Sequence, residues 1–101
     1  EVEPEWLAAP PAAGRIGDGR EPGGFNNELG HVAGSALVPL ATVEAAAQDW
    51  DPHAPLVLVC RSGGRSGKAA LALQAKGFTR VVSMRGGMLL WNARRLPVVR
   101  S

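Results

Sequence analysis

Leu56-Val57-Leu58-Val59 is a continuous apolar run, preceded by Pro55 and followed by Cys60 and a glycine-rich turn. A short apolar run between turn signals reads as a buried strand. The alanine-rich stretch from Gly67 to Lys76 reads as the helix after it. Gly77 suits the position just past that helix, and Phe78 would then touch Leu73, as a Schellman stop requires. Arg80 to Met84 forms a further strand, Gly86-Gly87 leads into a last helix through Trp91, and Leu96-Pro97-Val98-Val99 closes the chain. Upstream, Pro4 to Ala9 predicts a short helix closed by Pro10-Pro11. Gly14 to Gly24 holds at most a short strand, at Arg15 to Asp18. Ala36-Leu37-Val38 is a second short strand, stopped by Pro39. Thr42 can cap a helix from Val43 to Gln48, with Glu44 in its first turn and Asp51-Pro52 ending it. Strands alternating with helices across short connections mean an α/β domain with a largely parallel sheet.

At 101 residues this is one domain, 1–101, and 46% hydrophobic with 20% charged residues is enough to bury a core. The formal net charge of +2 is spread along the chain and aromatic content is 5%, so no nucleic-acid surface is expected. The weak positive bias suits small anionic substrates. One cysteine excludes an internal disulfide and a multi-cysteine zinc site, and neither a metal nor a cofactor is expected. No apolar run approaches the ~18 residues of a membrane helix, and no signal peptide is visible. The chain starts at Glu1 without a methionine, which leaves room for a removed upstream segment. A cytoplasmic location is the default expectation.

Cys60 stands at the carboxyl end of its predicted strand, where ligands gather in open α/β sheets. The turn Arg61-Ser62-Gly63-Gly64-Arg65-Ser66 holds its thiol over the start of a helix, where free backbone N–H groups and the helix dipole favour negative charge. Such settings bring a thiol pKa from about 8.5 towards roughly 3.5–7.5. Arg61 and Arg65 are expected to add to the effect. A buried cysteine is by default inert packing, but packing needs neither the paired glycines nor the two arginines. The turn is not a P-loop: Ser62 occupies the first glycine position, and Ala69 follows Gly67-Lys68 where a metal-binding hydroxyl belongs. A cysteine-dependent phosphatase uses C-x(5)-R, whereas four residues separate Cys60 from Arg65, and a smaller ring suits a smaller group such as one bound sulfur. Of the remaining candidates, His31 in its glycine turn reads as structural, Ser62 and Ser66 as loop-ordering hydroxyls, and Trp6, Trp50 and Trp91 as core or core-edge packing.

Five blocks in order give the chain a resemblance to the rhodanese domain, and to single-domain sulfurtransferases in particular. Asp18-Gly19-Arg20-Glu21 is similar to D-V-R-E. Gly30-His31-Val32-Ala33-Gly34-Ser35, continuing to Val38-Pro39-Leu40, is similar to G-H-I-P-G-A followed by I-P-L. Cys60 to Ser66 matches the active loop before its alanine-rich helix and Gly77-Phe78. Gly86-Gly87 with Trp91, and then Leu96-Pro97-Val98, resemble the closing G-G-x-x-x-W…L-P-V. The resemblance implies a three-layer fold with a central, mostly parallel five-stranded sheet flanked by helices. It implies that Cys60 takes a sulfane sulfur as a persulfide, with thiosulfate as the test donor, and passes it to a thiol, cyanide or protein acceptor. Arg61, Ser62, Gly63, Gly64, Arg65 and Ser66 would bind the anionic donor and the outer sulfur, and Asp18 and Arg20 would support the loop. The alternative is a sulfur-delivery or interaction module serving a protein partner, and behind it a phosphatase or arsenate reductase. Two departures stand out: Gly19 replaces a β-branched residue, and Arg95 stands where the family ends its last helix with glycine. A left-handed arginine there would cost on the order of 1 kcal/mol.

Overall fold

The computed structural model describes residues 1–8, 15–20 and 29–99; the expectations for Pro10-Pro11, Gly24 and Glu21 fall outside them. In chain order the elements are α1 (Pro4–Ala8), β1 (Arg15–Asp18), β2 (Ala36–Leu37), a 3-10 turn (Leu40–Thr42), α2 (Val43–Ala47), β3 (Leu56–Val59), α3 (Gly64–Ala75), β4 (Val81–Ser83) and α4 (Gly87–Ala93). The sheet runs β2-β1-β3-β4 with every pairing parallel. It has four strands among the described residues, not the five that the resemblance implied. Beyond β4 there is only a single bridge, Val2 to Met84, in which Val2 N–H donates to Ser83 O at 2.9 Å and Arg85 N–H to Val2 O at 2.7 Å. Pairing goes no further because Pro4, with no N–H to give, starts α1 two residues later.

β3 is buried along its whole length, and its alternation serves two cores. Val57 and Val59 face Ile16, Met84, Met88 and Trp91 on the α4 side. Leu56 and Leu58 face Val43, Ala70, Leu73 and Phe78 on the side of α2 and α3. A central parallel strand covered on both faces has to be apolar throughout, which is why the run carries no polar residue until it leaves the sheet. At the far end of α3, Phe78 N–H donates to Leu73 O at 3.1 Å and Gly77 N–H to Gln74 O at 3.1 Å, the Schellman pair the sequence predicts.

Two local expectations are corrected. Thr42 precedes α2 without capping it: its hydroxyl donates to Pro39 O at 3.0 Å, closing the 3-10 turn instead. Trp6 is 49% exposed, because the single turn of α1 is too short to wrap it against the sheet. Trp91 is buried as expected and satisfies its indole N–H on Pro97 O at 2.9 Å. The glycine at position 19 is accounted for by Leu40, whose side chain fills the space a Cβ there would take.

Arg95 does adopt the left-handed conformation, with φ 57°. Its N–H donates to Asn92 O at 2.9 Å and Leu96 N–H to Trp91 O at 3.2 Å, so α4 ends in a Schellman motif with arginine in the glycine position. Arg95→Gly is therefore expected to stabilise the fold by about 1 kcal/mol, seen in thermal unfolding as a rise of roughly 4–8 °C. A melting temperature at or below wild type would show that the turn holds no such strain.

Candidate active site

Cys60 leaves β3 with the parity of Leu56 and Leu58, which directs it to the α3 side of the sheet. It is 4% exposed. α3 begins at Gly64, three residues earlier than the sequence predicts, so Arg65 and Ser66 belong to its first turn. Gly63 is its N-cap and has no side chain to offer the orphan amides. The sulfur of Cys60 takes that place: it accepts Gly63 N–H at 3.0 Å and Ser66 N–H at 3.4 Å. A thiolate there meets the same donors that an anion meets at any helix start.

Ser66 is fully buried, and its hydroxyl lies 3.4 Å from Cys60 Sγ and 3.2 Å from Gly63 O. With the thiol protonated, S–H donates to Oγ while the hydroxyl donates to Gly63 O. With the thiolate, the hydroxyl turns and donates to sulfur. Burial pushes the Cys60 thiol up, but hydrogen bonds from the Ser66 hydroxyl and the amides of Ser66, Gly63 and Ser62 outweigh it, and the net displacement is downward. The guanidinium groups of Arg61 and Arg65 are not among the causes. This corrects the expectation that they help ionise the thiol: both side chains are exposed, where water screens them.

The loop keeps its shape because α4 starts against it. Met88 N–H donates to Cys60 O and Leu89 N–H to Arg61 O, each at 2.9 Å. A Cβ on Gly87 would lie 2.4 Å from Cys60 O, and one on Gly63 would lie 2.9 Å from Gly86 N. Both glycines also have positive φ, 59° and 96°, so neither position admits a side chain without moving the loop. These α4 amides are the part of the site that sequence reasoning missed. The Gly86-Gly87 pair was the available signal.

Asp18 and Arg20 are brought together in the interior. Arg20 Nε donates to Asp18 Oδ1 at 2.9 Å and Nη2 to Oδ2 at 2.7 Å, and Nη2 also donates to Gly30 O at 2.6 Å. Asp18 pairs in register with Val59, and Gly19 N–H donates to Val59 O at 2.7 Å. The ion pair thus fixes the end of β1 beside the residue that precedes Cys60. His31 is buried and pairs its backbone with Val99. It is not among the groups that hydrogen-bond the Cys60 sulfur. Among the described residues no cluster of histidine, cysteine or carboxylate side chains could hold a metal ion, and no helix is long and apolar enough to cross a membrane.

Known proteins resemble this chain in sequence and fold. Over 76 residues the chain is 37% identical to the thiosulfate sulfurtransferase GlpE of Ectopseudomonas mendocina, covering 75% of this chain and 68% of that protein. It is 30% identical over 70 residues to a sulfurtransferase of Allochromatium vinosum, covering 69% and 65%. The chain thus spans only about two thirds of the length of these two curated relatives, and 36% of another from Bacillus subtilis. A rhodanese-related protein of Thermoplasma volcanium has the same fold, with a TM-score of 0.88 at 24% identity over 100% of this chain and 98% of that one. Residues 3–94 match the rhodanese-like domain, and on that match and these relatives the chain belongs to the rhodanese-like domain family.

Proposed function

We propose that the protein is a sulfurtransferase of the thiosulfate type, with Cys60 carrying the sulfur. The observation that carries the reading is the Cys60 sulfur itself, buried at the first turn of α3 and accepting Gly63 and Ser66 amides. The Cys60 thiolate attacks the outer sulfur of thiosulfate and forms an S–S bond. The bond between that sulfur and the sulfonate breaks, and its electron pair leaves with sulfite. Cys60 then holds a persulfide, whose outer sulfur is stabilised by the amides of the 61–66 loop. A nucleophilic acceptor takes this sulfur and returns the electron pair to Cys60. Asp18 and Arg20 support the loop through the β1–β3 ladder. Arg61 and Arg65, exposed and outside every ion pair among the described residues, attract the anionic donor.

Reduced protein incubated with thiosulfate is expected to gain the mass of one sulfur atom at Cys60 and to lose it to cyanide. An unchanged intact mass, with the thiol shown to be free beforehand, would falsify the proposal.

The lowered thiol pKa has a definite sign in kinetics. The loading rate follows the thiolate fraction, so it is expected to plateau above the folded pKa and to fall as pH drops through it, with a midpoint below that of free cysteine near 8.5. Ser66→Ala removes a hydrogen bond that favours the thiolate, so the midpoint should move upward and loading near neutral pH should slow. Iodoacetamide alkylation followed against pH reads both midpoints, and identical midpoints for variant and wild type would rule the hydroxyl out.

Arg61→Ala and Arg65→Ala are each expected to raise the thiosulfate KM and flatten its dependence on ionic strength, with a smaller loss of kcat, because the persulfide is held by backbone. Steady-state kinetics at low and high salt check this. Wild-type KM and salt response in both variants would mean that the loop amides alone bind the donor.

A further inference from the structure

Helix α3 and the residue that caps it, Lys76, carry the cations Arg65, Lys68 and Lys76 and no acidic residue. Steps of three and four residues lead from Arg65 through Lys68 and Ala72 to Lys76, so all four fall on one face of the helix. That face is one wall of a groove. Across from Arg65 and Lys68 stand Leu40 of the 3-10 turn and Val43 and Glu44 of α2, enclosing about 480 Å³. A second cavity of about 210 Å³ follows, lined by Ala47, Leu73 and Lys76. Glu44 lines both, so the two run on from one another along α3. From Arg65 to Lys76 that is about 16 Å at ~1.5 Å per residue. Neither Cys60, Gly63 nor Ser66 lines either cavity, and the groove is a surface separate from the sulfur.

Its charges are unspent. Among the described residues the ion pairs are Asp18 with Arg20, Glu3 with Arg85, and Glu3 and Glu5 with Arg94. Arg65, Lys68 and Lys76 enter none of them, and neither does Glu44, although all four are exposed. The groove is therefore basic along its α3 edge, acidic at one point on the opposite edge, and apolar between them.

We infer that this groove docks an amphipathic helix of a partner protein, apolar on the side that enters and acidic along the edge that meets α3. The long wall is a helix whose backbone groups are bonded within it. An extended segment laid against it would bury amides with nothing to bond, whereas a helix brings its own already paired. The acidic edge gains from three cations in a row, and Glu44 repels the same edge from the other wall, which fixes how the incoming helix is rolled. A small anion makes no use of an apolar floor of this length.

The probe is a synthetic peptide of about 18 residues, because isolated helices below ~12–15 residues are marginal in water. It carries leucine at helical spacing and glutamate along one flank of that stripe. Two controls accompany it: one with the glutamates replaced by lysine, and one of the same composition in shuffled order. Titration into the protein, followed by amide chemical shifts, is expected to show saturable binding with shifts at Glu44, Lys68, Ala72 and Lys76. Both controls should bind more weakly. Lys68→Ala and Lys76→Ala should each raise Kd by roughly two- to fivefold, the scale of an exposed ion pair. Ala72→Phe, which fills the half-buried floor, should abolish binding, with thermal unfolding checking that the variant is folded. Cys60→Ser should bind as wild type does, since the sulfur is not part of the groove. Absence of binding, equal binding of the shuffled peptide, or shifts confined to the Cys60 loop overturns the assignment. Self-association of the protein alone, lost in Ala72→Phe, overturns the partner and gives the groove to a second copy of this chain.

Discussion

The carbonyl groups of Cys60 and Arg61 are turned outward and held by the first amides of α4, and the rest of the site depends on that. With these two acceptors engaged on the far side, the amides of Ser62, Gly63 and Ser66 are left facing the Cys60 sulfur. Two helix starts are therefore used in opposite senses. α3 gives its orphan donors to the reactive atom, and α4 gives its own to the backbone that carries that atom. The arrangement needs α4 to approach within hydrogen-bonding distance of the loop, which only a residue without a Cβ at position 87 permits. A loop preorganised in this way has no conformational entropy left to lose when charge develops on sulfur.

Charge in this small domain is divided between scaffold and site. Asp18 and Arg20 are buried and joined by two side-chain hydrogen bonds, so removing either would strand a charge in the interior, a change that typically costs about 3–5 kcal/mol. The Glu3, Glu5, Arg85 and Arg94 cluster is exposed and ties α1 to α4, where water and salt screen such pairs and they contribute little. The cations around Cys60 belong to neither group. Arg61, Arg65 and Lys68 are exposed and hold no partner among the described residues, so their field is directed at solutes. Their absence from the causes of the Cys60 shift fits the same division: hydrogen bonds at contact distance lower the thiol pKa, and screened charges at the mouth do not.

Much of this was legible in the chain. The apolar run of β3, the glycine-rich turn after Cys60 and the Schellman stop at Gly77-Phe78 are local features, and each appears where its own residue types place it. The left-handed conformation at Arg95 was not legible in this way: arginine disfavours it, and only the resemblance marked the position as one where a helix ends in a reversal. Cys60 was identifiable as the candidate nucleophile because it is the one thiol and sits at a strand-to-helix turn. Asp18 and Arg20 were expected beside the loop, but neither their pairing nor the bond from Arg20 to Gly30 O was readable.

Other features depended on contacts between segments distant in sequence. α3 starts at Gly64 because Cys60 Sγ and the hydroxyl of Ser66 satisfy its first turn, and no propensity scale credits a sulfur from the preceding strand with that role. The sheet stops after one bridge at Val2 because Pro4 turns the chain into α1. The depressed thiol pKa comes from amides and a hydroxyl rather than from the arginines that draw the eye in the sequence, since direction and distance decide such effects and residue type alone does not. The groove beside Arg65 exists only because the 3-10 turn and the start of α2 come to lie against α3, which sets Glu44 in the same groove as Lys68. The sequence by itself determined the strand, the turn, the position of the one thiol and the stop of α3, all set by neighbours within a few residues. The donors that face the sulfur, the carbonyls held away from it and the charges left unpaired around it were decided by tertiary structure, because each depends on where one element's backbone comes to lie against another.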